Sequence, residues 1–105
     1  MNTRVIVGQR VKDFLQTLAP EPRRKLWRGI KALAQDKGYL KQLEGNLHPF
    51  WRLRVERMRV IYEPRSVAGG RQLICFYADH RSTVYAVLEQ LLASGIVEEL
   101  GQVLI

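Results

Sequence analysis

Residues 51 to 62, WRLRVERMRVIY, constrain the fold more than any other stretch of the chain. Successive side chains of a strand point to opposite faces of its sheet. Trp51, Leu53 and Val55 therefore fall on one face, and Phe50, Arg52, Arg54 and Glu56 on the other. The alternation resumes after a short break, with Val60 and Tyr62 on one side and Arg59, Ile61 and Glu63 on the other. Two such runs so close together read as an antiparallel hairpin. With Glu56-Arg57 as its two-residue turn, Val55 pairs with Met58, Arg54 with Arg59 and Leu53 with Val60. Arg54 and Arg59 then stand opposite each other, about 5 Å apart at Cβ, with Arg52 two residues along the same face. Like charges so placed cost some tenths of a kcal/mol to about 1 kcal/mol, and folding does not require that cost. A phosphate held between the guanidinium forks would offset it. A solvated strand face with Glu56 and Glu63 as neighbours is the plainer reading.

The flanking sequence supplies elements for this hairpin to pack against. TRVIVGQ (3 to 9) has three consecutive apolar residues, two of them valine, and reads as a first strand. From Gln9 or Arg10 the period becomes helical, with Val11, Phe14, Leu15 and Leu18 on one face up to Ala19-Pro20. EPRRKLWRGIKALAQDKG (21 to 38) continues as a second helix, carrying Leu26, Ile30, Leu33 and Ala34 on one face and stopping at Gly38. Residues 39 to 49 show no sustained period and contain Gly45-Asn46 and Pro49, so they read as a loop with Leu40, Leu43 and Leu47 turned inward. Strands are expected near 50 to 56, 58 to 64 and 71 to 79, with Pro64 and SVAGG (66 to 70) separating the last two. TVYAVLEQLLASG then places Val84, Val87, Leu88 and Leu91 at helical spacing. Residues 93 to 105 form an apolar extension.

The expected order is strand, two helices, three strands, helix. That is an α+β domain of about four strands with an N-terminal helical hairpin and a C-terminal helix. At 105 residues the chain holds one core, so 1 to 105 reads as one domain. No segment has the roughly 18 apolar residues of a membrane span, and MNTRVIVGQR lacks a signal peptide's apolar stretch, so a cytoplasmic protein is expected. The single Cys75 can form no intrachain disulfide, and one Cys with two His does not complete a structural zinc site. Charge is uneven. Residues 1 to 60 hold 14 Lys/Arg against 5 Asp/Glu, whereas 61 to 105 hold 3 against 5. A basic face built by the first half would attract a polyanion, either nucleic acid or an acidic protein segment.

The run LEGNLHPFWRLRVERMRVIYE, followed by an apolar strand and HRSTVY, resembles the RelE/ParE family of toxins from type II toxin–antitoxin pairs. The likeness spans roughly residues 3 to 92 in a Leu-x-Gly loop, Trp-Arg-x-Arg, a Val-Ile-Tyr strand and His-Arg-x-x-Val-Tyr. It implies a small curved antiparallel sheet flanked by helices. It further implies an acidic antitoxin as partner, ribosome and mRNA as targets, no membrane and no cofactor, with operator DNA reached only through the antitoxin. Ribonuclease members cleave mRNA in the ribosomal A site. ParE-like members share the fold and inhibit DNA gyrase without nuclease activity.

On the ribonuclease reading, the resemblance assigns catalysis to Arg54, Arg59, Arg81 and Tyr85, and RNA contact to Arg52. Arg57, at the turn, is a further candidate RNA contact. Cleavage by the 2′-hydroxyl needs a proton acceptor, charge stabilisation at phosphorus and an acid for the leaving oxygen. Arginine supplies the second role and cannot be the base. His80 is the best acid or base by its ordinary pKa, with Tyr85 as its rival, positioning the hydroxyl or stacking on a base. His48 reads as a bystander.

Overall fold

The structure, a computed structural model, describes residues 2–94. Its strands are β1 (Asn2–Val7), β2 (Tyr39–Gln42), β3 (Trp51–Val55), β4 (Met58–Val67) and β5 (Gly70–His80), and its helices are α1 (Gln9–Thr17), α2 (Pro20–Ala32) and α3 (Val84–Ala93). One five-stranded sheet runs in the order β1-β5-β4-β3-β2. The α+β architecture and the β3–β4 hairpin match the expectation, including the register Val55–Met58, Arg54–Arg59 and Leu53–Val60. The extension from residue 95 to 105 lies outside the described residues.

Four details differ. Tyr39–Gln42 is a fifth strand, antiparallel to β3, where a loop was expected. Four residues are too few for a period of two to stand out, and pairing with an existing neighbour decides the conformation instead. The sheet is mixed, because β1 lies parallel to β5. Val5, Ile6 and Val7 thereby cover the outer side of the most apolar strand, pairing with Leu73, Ile74 and Cys75. Helix α2 starts at Pro20 and ends at Ala32, passing through a 3-10 turn (Leu33–Gln35) to a left-handed Asp36 at φ 55°. Strand β4 continues through Pro64 to Val67, so the β4–β5 loop is only Ala68-Gly69. β3 begins at Trp51, opposite Tyr62. Beyond that point β4 has a neighbour on one side only, which is where a sheet tolerates proline.

Both faces of the sheet carry apolar side chains. On one, Val11, Phe14 and Leu15 of α1 and Leu26 and Ile30 of α2 pack over Leu53, Val60, Leu73 and Cys75. On the other, Val84 and Leu88 of α3 join Phe50, Ile61, Phe76 and Leu43. Gly29, in the last turn of α2, lets the helix lie against β3: a Cβ there would sit 2.8 Å from Val55 Cγ2.

A bulge in β5 sets which residues face which layer. Ile61 pairs with Tyr77 and Tyr62 with Cys75, leaving Phe76 as the extra residue. Phe76 and Tyr77 consequently both pack on the α3 side, while Cys75 and Ala78 pack on the α1–α2 side. Every residue after the bulge is inverted relative to strict alternation. Among the described residues, no helix is long and apolar enough to cross a membrane.

Candidate phosphate-binding pocket

Register across four strands builds the site. Tyr39 pairs with Arg54, Arg54 with Arg59 and Arg59 with Asp79, giving one row across β2, β3, β4 and β5. Lys41, Arg52, Ile61 and Tyr77 form the adjacent row on the same face. Helix α3 covers the Ile61 end of this face and leaves the arginines beside an open concavity. Its volume is about 620 Å³, and it is lined by Lys41, Gln42, Leu43, Glu44, Arg52, Arg54, Arg59, Arg81, Ser82 and Tyr85.

The arginines do not share one environment, as an evenly solvated strand face would give them. Arg54 is exposed, Arg52 is half-buried, and Arg59 is only 8% exposed. The Arg59 Nη1 group donates to two main-chain carbonyls, Glu56 O at 2.9 Å and Met58 O at 3.0 Å. These bonds fix the guanidinium at the pocket wall while leaving its charge uncompensated. Burial lowers its pKa from the ordinary value; the Tyr85 phenol opposes that, and Arg52 and Arg54 reinforce it. Arginine remains cationic even so. Among the described residues, no carboxylate lies within 4.0 Å of Arg52, Arg54, Arg59 or Arg81.

Asp79 is the natural candidate to neutralise Arg59, being directly opposite it in β5. Its carboxylate is engaged elsewhere, accepting from the Tyr77 hydroxyl and from the His80 amide at 2.7 Å. Burial and that bond together push the Tyr77 phenol well above its ordinary range. Among the described residues, the pocket thus concentrates four guanidinium groups and one ammonium against one carboxylate, Glu44. A multiply charged anion is the ligand such a surface stabilises most.

Five of the seven residues singled out from the sequence line this pocket: Arg52, Arg54, Arg59, Arg81 and Tyr85. His80 and Arg57 do not. The β5 bulge turns His80 to the opposite side of the sheet, where its ring meets Phe14 edge to face at 5.2 Å between centroids. Arg57 is exposed at the turn and lines a separate hollow with His80, Leu18 and Pro22. Its role here is through the main chain: the Arg57 carbonyl accepts the Arg81 N–H at 2.8 Å, tying the end of β5 to the hairpin.

Lys41, Glu44 and Ser82 are additions. Lys41 arrives with the unforeseen β2, which places it directly opposite Arg52. Glu44 sits between β2 and a 3-10 turn (Gly45–Leu47). The Tyr39-Leu40-Lys41 alternation was the available signal for the strand, too short to outweigh the glycine and proline that follow. Among the described residues there is no group of three or more His, Cys, Asp or Glu that could hold a metal ion. Comparison of the sequence with protein-family models and with curated proteins gives no match.

Proposed function

We propose that this chain is a toxin of the RelE/ParE type that cleaves mRNA on the ribosome, using the arginine pocket to hold the scissile phosphate. The observation that carries this reading is the convergence of Arg52, Arg54, Arg59 and Arg81 with Tyr85 in one pocket, with no carboxylate among the described residues paired to any of these arginines. Four fixed cations are a poor arrangement for a folded domain alone and a suitable one for a phosphorane, where negative charge builds up in the transition state.

The reaction needs no further cofactor in this scheme. The RNA 2′-oxygen attacks phosphorus as its proton passes to the Glu44 carboxylate, the one acidic group among the described residues lining the pocket. Arg54, Arg59 and Arg81 stabilise the charge on the phosphoryl oxygens. The P–O5′ bond breaks as the Tyr85 hydroxyl gives its proton to the leaving 5′-oxygen, and a 2′,3′-cyclic phosphate remains. His80, on the far face, takes no part.

A groove on the α2 side supports an acidic antitoxin as partner. Its volume is about 530 Å³; Gly29, Ala32, Tyr39, Leu53 and Val55 give it apolar lining, and Arg28, Lys37 and Arg54 give it positive charge, Lys25 being paired there with Glu56 at 2.9 Å. An acidic amphipathic segment has the complementary chemistry. On this reading the protein acts in the cytoplasm, where its ribosomal target lies.

Purified protein added to a cell-free translation reaction, with primer extension on the message, tests the function. Wild type should cut within codons, and Arg59→Ala, folded by its melting curve, should lose at least 100-fold in rate (~3 kcal/mol, the size of a lost transition-state donor). Undiminished cutting by Arg59→Ala would overturn the site. Intact message with DNA breaks after induction in cells would select the gyrase-inhibiting branch instead.

A further inference from the structure

Next to the arginine pocket, where Arg54 separates it from the groove on the α2 side, stands an aromatic ring that the fold leaves exposed. Tyr39 is 70% exposed, the most exposed large hydrophobic side chain among the described residues; Val67, at 42%, is next. Its ring lies against Arg54, with the guanidinium carbon 4.9 Å from the ring centroid. That stack holds the ring on the edge strand β2 while most of it remains in contact with solvent.

Register fixes where the ring stands relative to the pocket. Tyr39 is one strand outward from Arg54 and two strands from Arg59 along a single cross-sheet row. Neighbouring strands are 4.7–4.9 Å apart, which puts the ring's strand about 10 Å from that of Arg59. Lys41, two residues along on the same face and opposite Arg52, supplies a further cation from the pocket's lining. An exposed aromatic flanked by cations that can follow a phosphodiester backbone is how proteins hold single-stranded nucleic acid: the bases stack and the cations track the chain. An edge-strand ring serving only as structure would be expected to bury more of its surface.

We propose that Tyr39, braced by Arg54, is a stacking platform for a base of single-stranded RNA, taking the nucleotide next to the one whose phosphate occupies the arginine pocket. This inference rests on the phosphate-binding reading of the pocket and adds to it a contact that recognises the base. Any base has a π face, so the platform contributes affinity with little sequence preference. Tyr39 is a binding residue in this scheme and not a catalytic one.

The test is fluorescence anisotropy at low salt, using an end-labelled 2′-O-methyl RNA strand that cannot be cut and a matched strand with abasic sites. Wild type should bind the strand with bases about tenfold more tightly than the abasic strand. Tyr39→Ala should lose that tenfold preference, bind the abasic strand as wild type does and keep its melting temperature. Tyr39→Phe should retain the preference, because the ring and not the hydroxyl stacks. Arg59→Ala should weaken both strands alike. The platform is overturned if wild type shows no preference for bases, or if Tyr39→Ala weakens both strands equally or neither. Unchanged binding of both strands by Arg59→Ala would instead overturn the pocket's phosphate role, whatever Tyr39 does.

Discussion

Arg54 and Arg59 stand directly opposite each other across β3 and β4, and no carboxylate among the described residues lies within 4.0 Å of either. Arg52 adds a third charge two residues along, and it is among the groups that depress the Arg59 pKa. The sheet therefore holds a repulsion that its own hydrogen bonds do not remove. Arg52→Gln should stabilise the folded protein by about 0.5 kcal/mol in urea unfolding at low salt. Added sulfate should stabilise wild type more than the variant. An Arg52→Gln protein less stable than wild type would mean that the charges are already compensated.

His80 tests the bulge. Because Phe76 is an extra residue in β5, His80 faces Phe14 and not the arginines. His80→Ala should therefore leave message cleavage within about twofold of wild type and leave its pH profile unchanged. Its cost should appear in stability instead, at about 0.5–1 kcal/mol for the lost aromatic contact. A hundredfold loss of cleavage with the fold intact would return His80 to the chemistry.

Gly29 should tolerate no side chain. Alanine would gain about 1 kcal/mol of helix propensity. Its Cβ would also meet Val55 Cγ2 at 2.8 Å, and the β-branched Val55 has little rotamer freedom with which to yield. We expect Gly29→Ala to be destabilising overall by about 1 kcal/mol in chemical denaturation. A gain in stability would show that α2 can move off β3 without penalty.

Alkaline pH should unfold this domain progressively. Burial pushes the Cys75 thiol from 9.0 up to about 12 and the Tyr62 phenol from 10.0 up to about 12. Between those values the unfolded chain has released protons that the folded chain still holds. Stability is then complete below pH 9 and declines toward pH 12, with a slope near 1.4 kcal/mol per pH unit for each group titrating in the unfolded chain alone. Cys75→Ala should remove the part of the slope that begins at pH 9. Urea midpoints from pH 8 to 11 measure it, and identical slopes in the two proteins would contradict the burial.

The hairpin at the heart of the site was legible because both of its strands alternate over five residues and like charges recur on one face. Its register followed from Glu56-Arg57 as a two-residue turn, although Glu56 takes φ 56°, a value usually left to glycine. What was not legible depended on neighbours. β2 has four residues and only one apolar member in its inward row, so pairing with β3 makes it a strand. Pro64 argues against a strand unless β3 is known to reach no further along β4 than Tyr62. The bulge leaves no local mark in LICFYADH, yet it decides that Tyr77 joins Phe76 and that His80 leaves the arginine face. For the same reason Lys41 and Glu44 reach the pocket by tertiary placement alone.

The chemistry of the cut ends tests the central claim most directly. Message recovered from a translation reaction containing the wild-type protein should carry 2′,3′-cyclic phosphate at the new 3′ ends, because the pocket's charge favours attack by the 2′-oxygen. The same reaction with folded Arg59→Ala should leave the message whole. Intact message at a wild-type concentration that halts translation, or identical fragments from both proteins, would contradict the account.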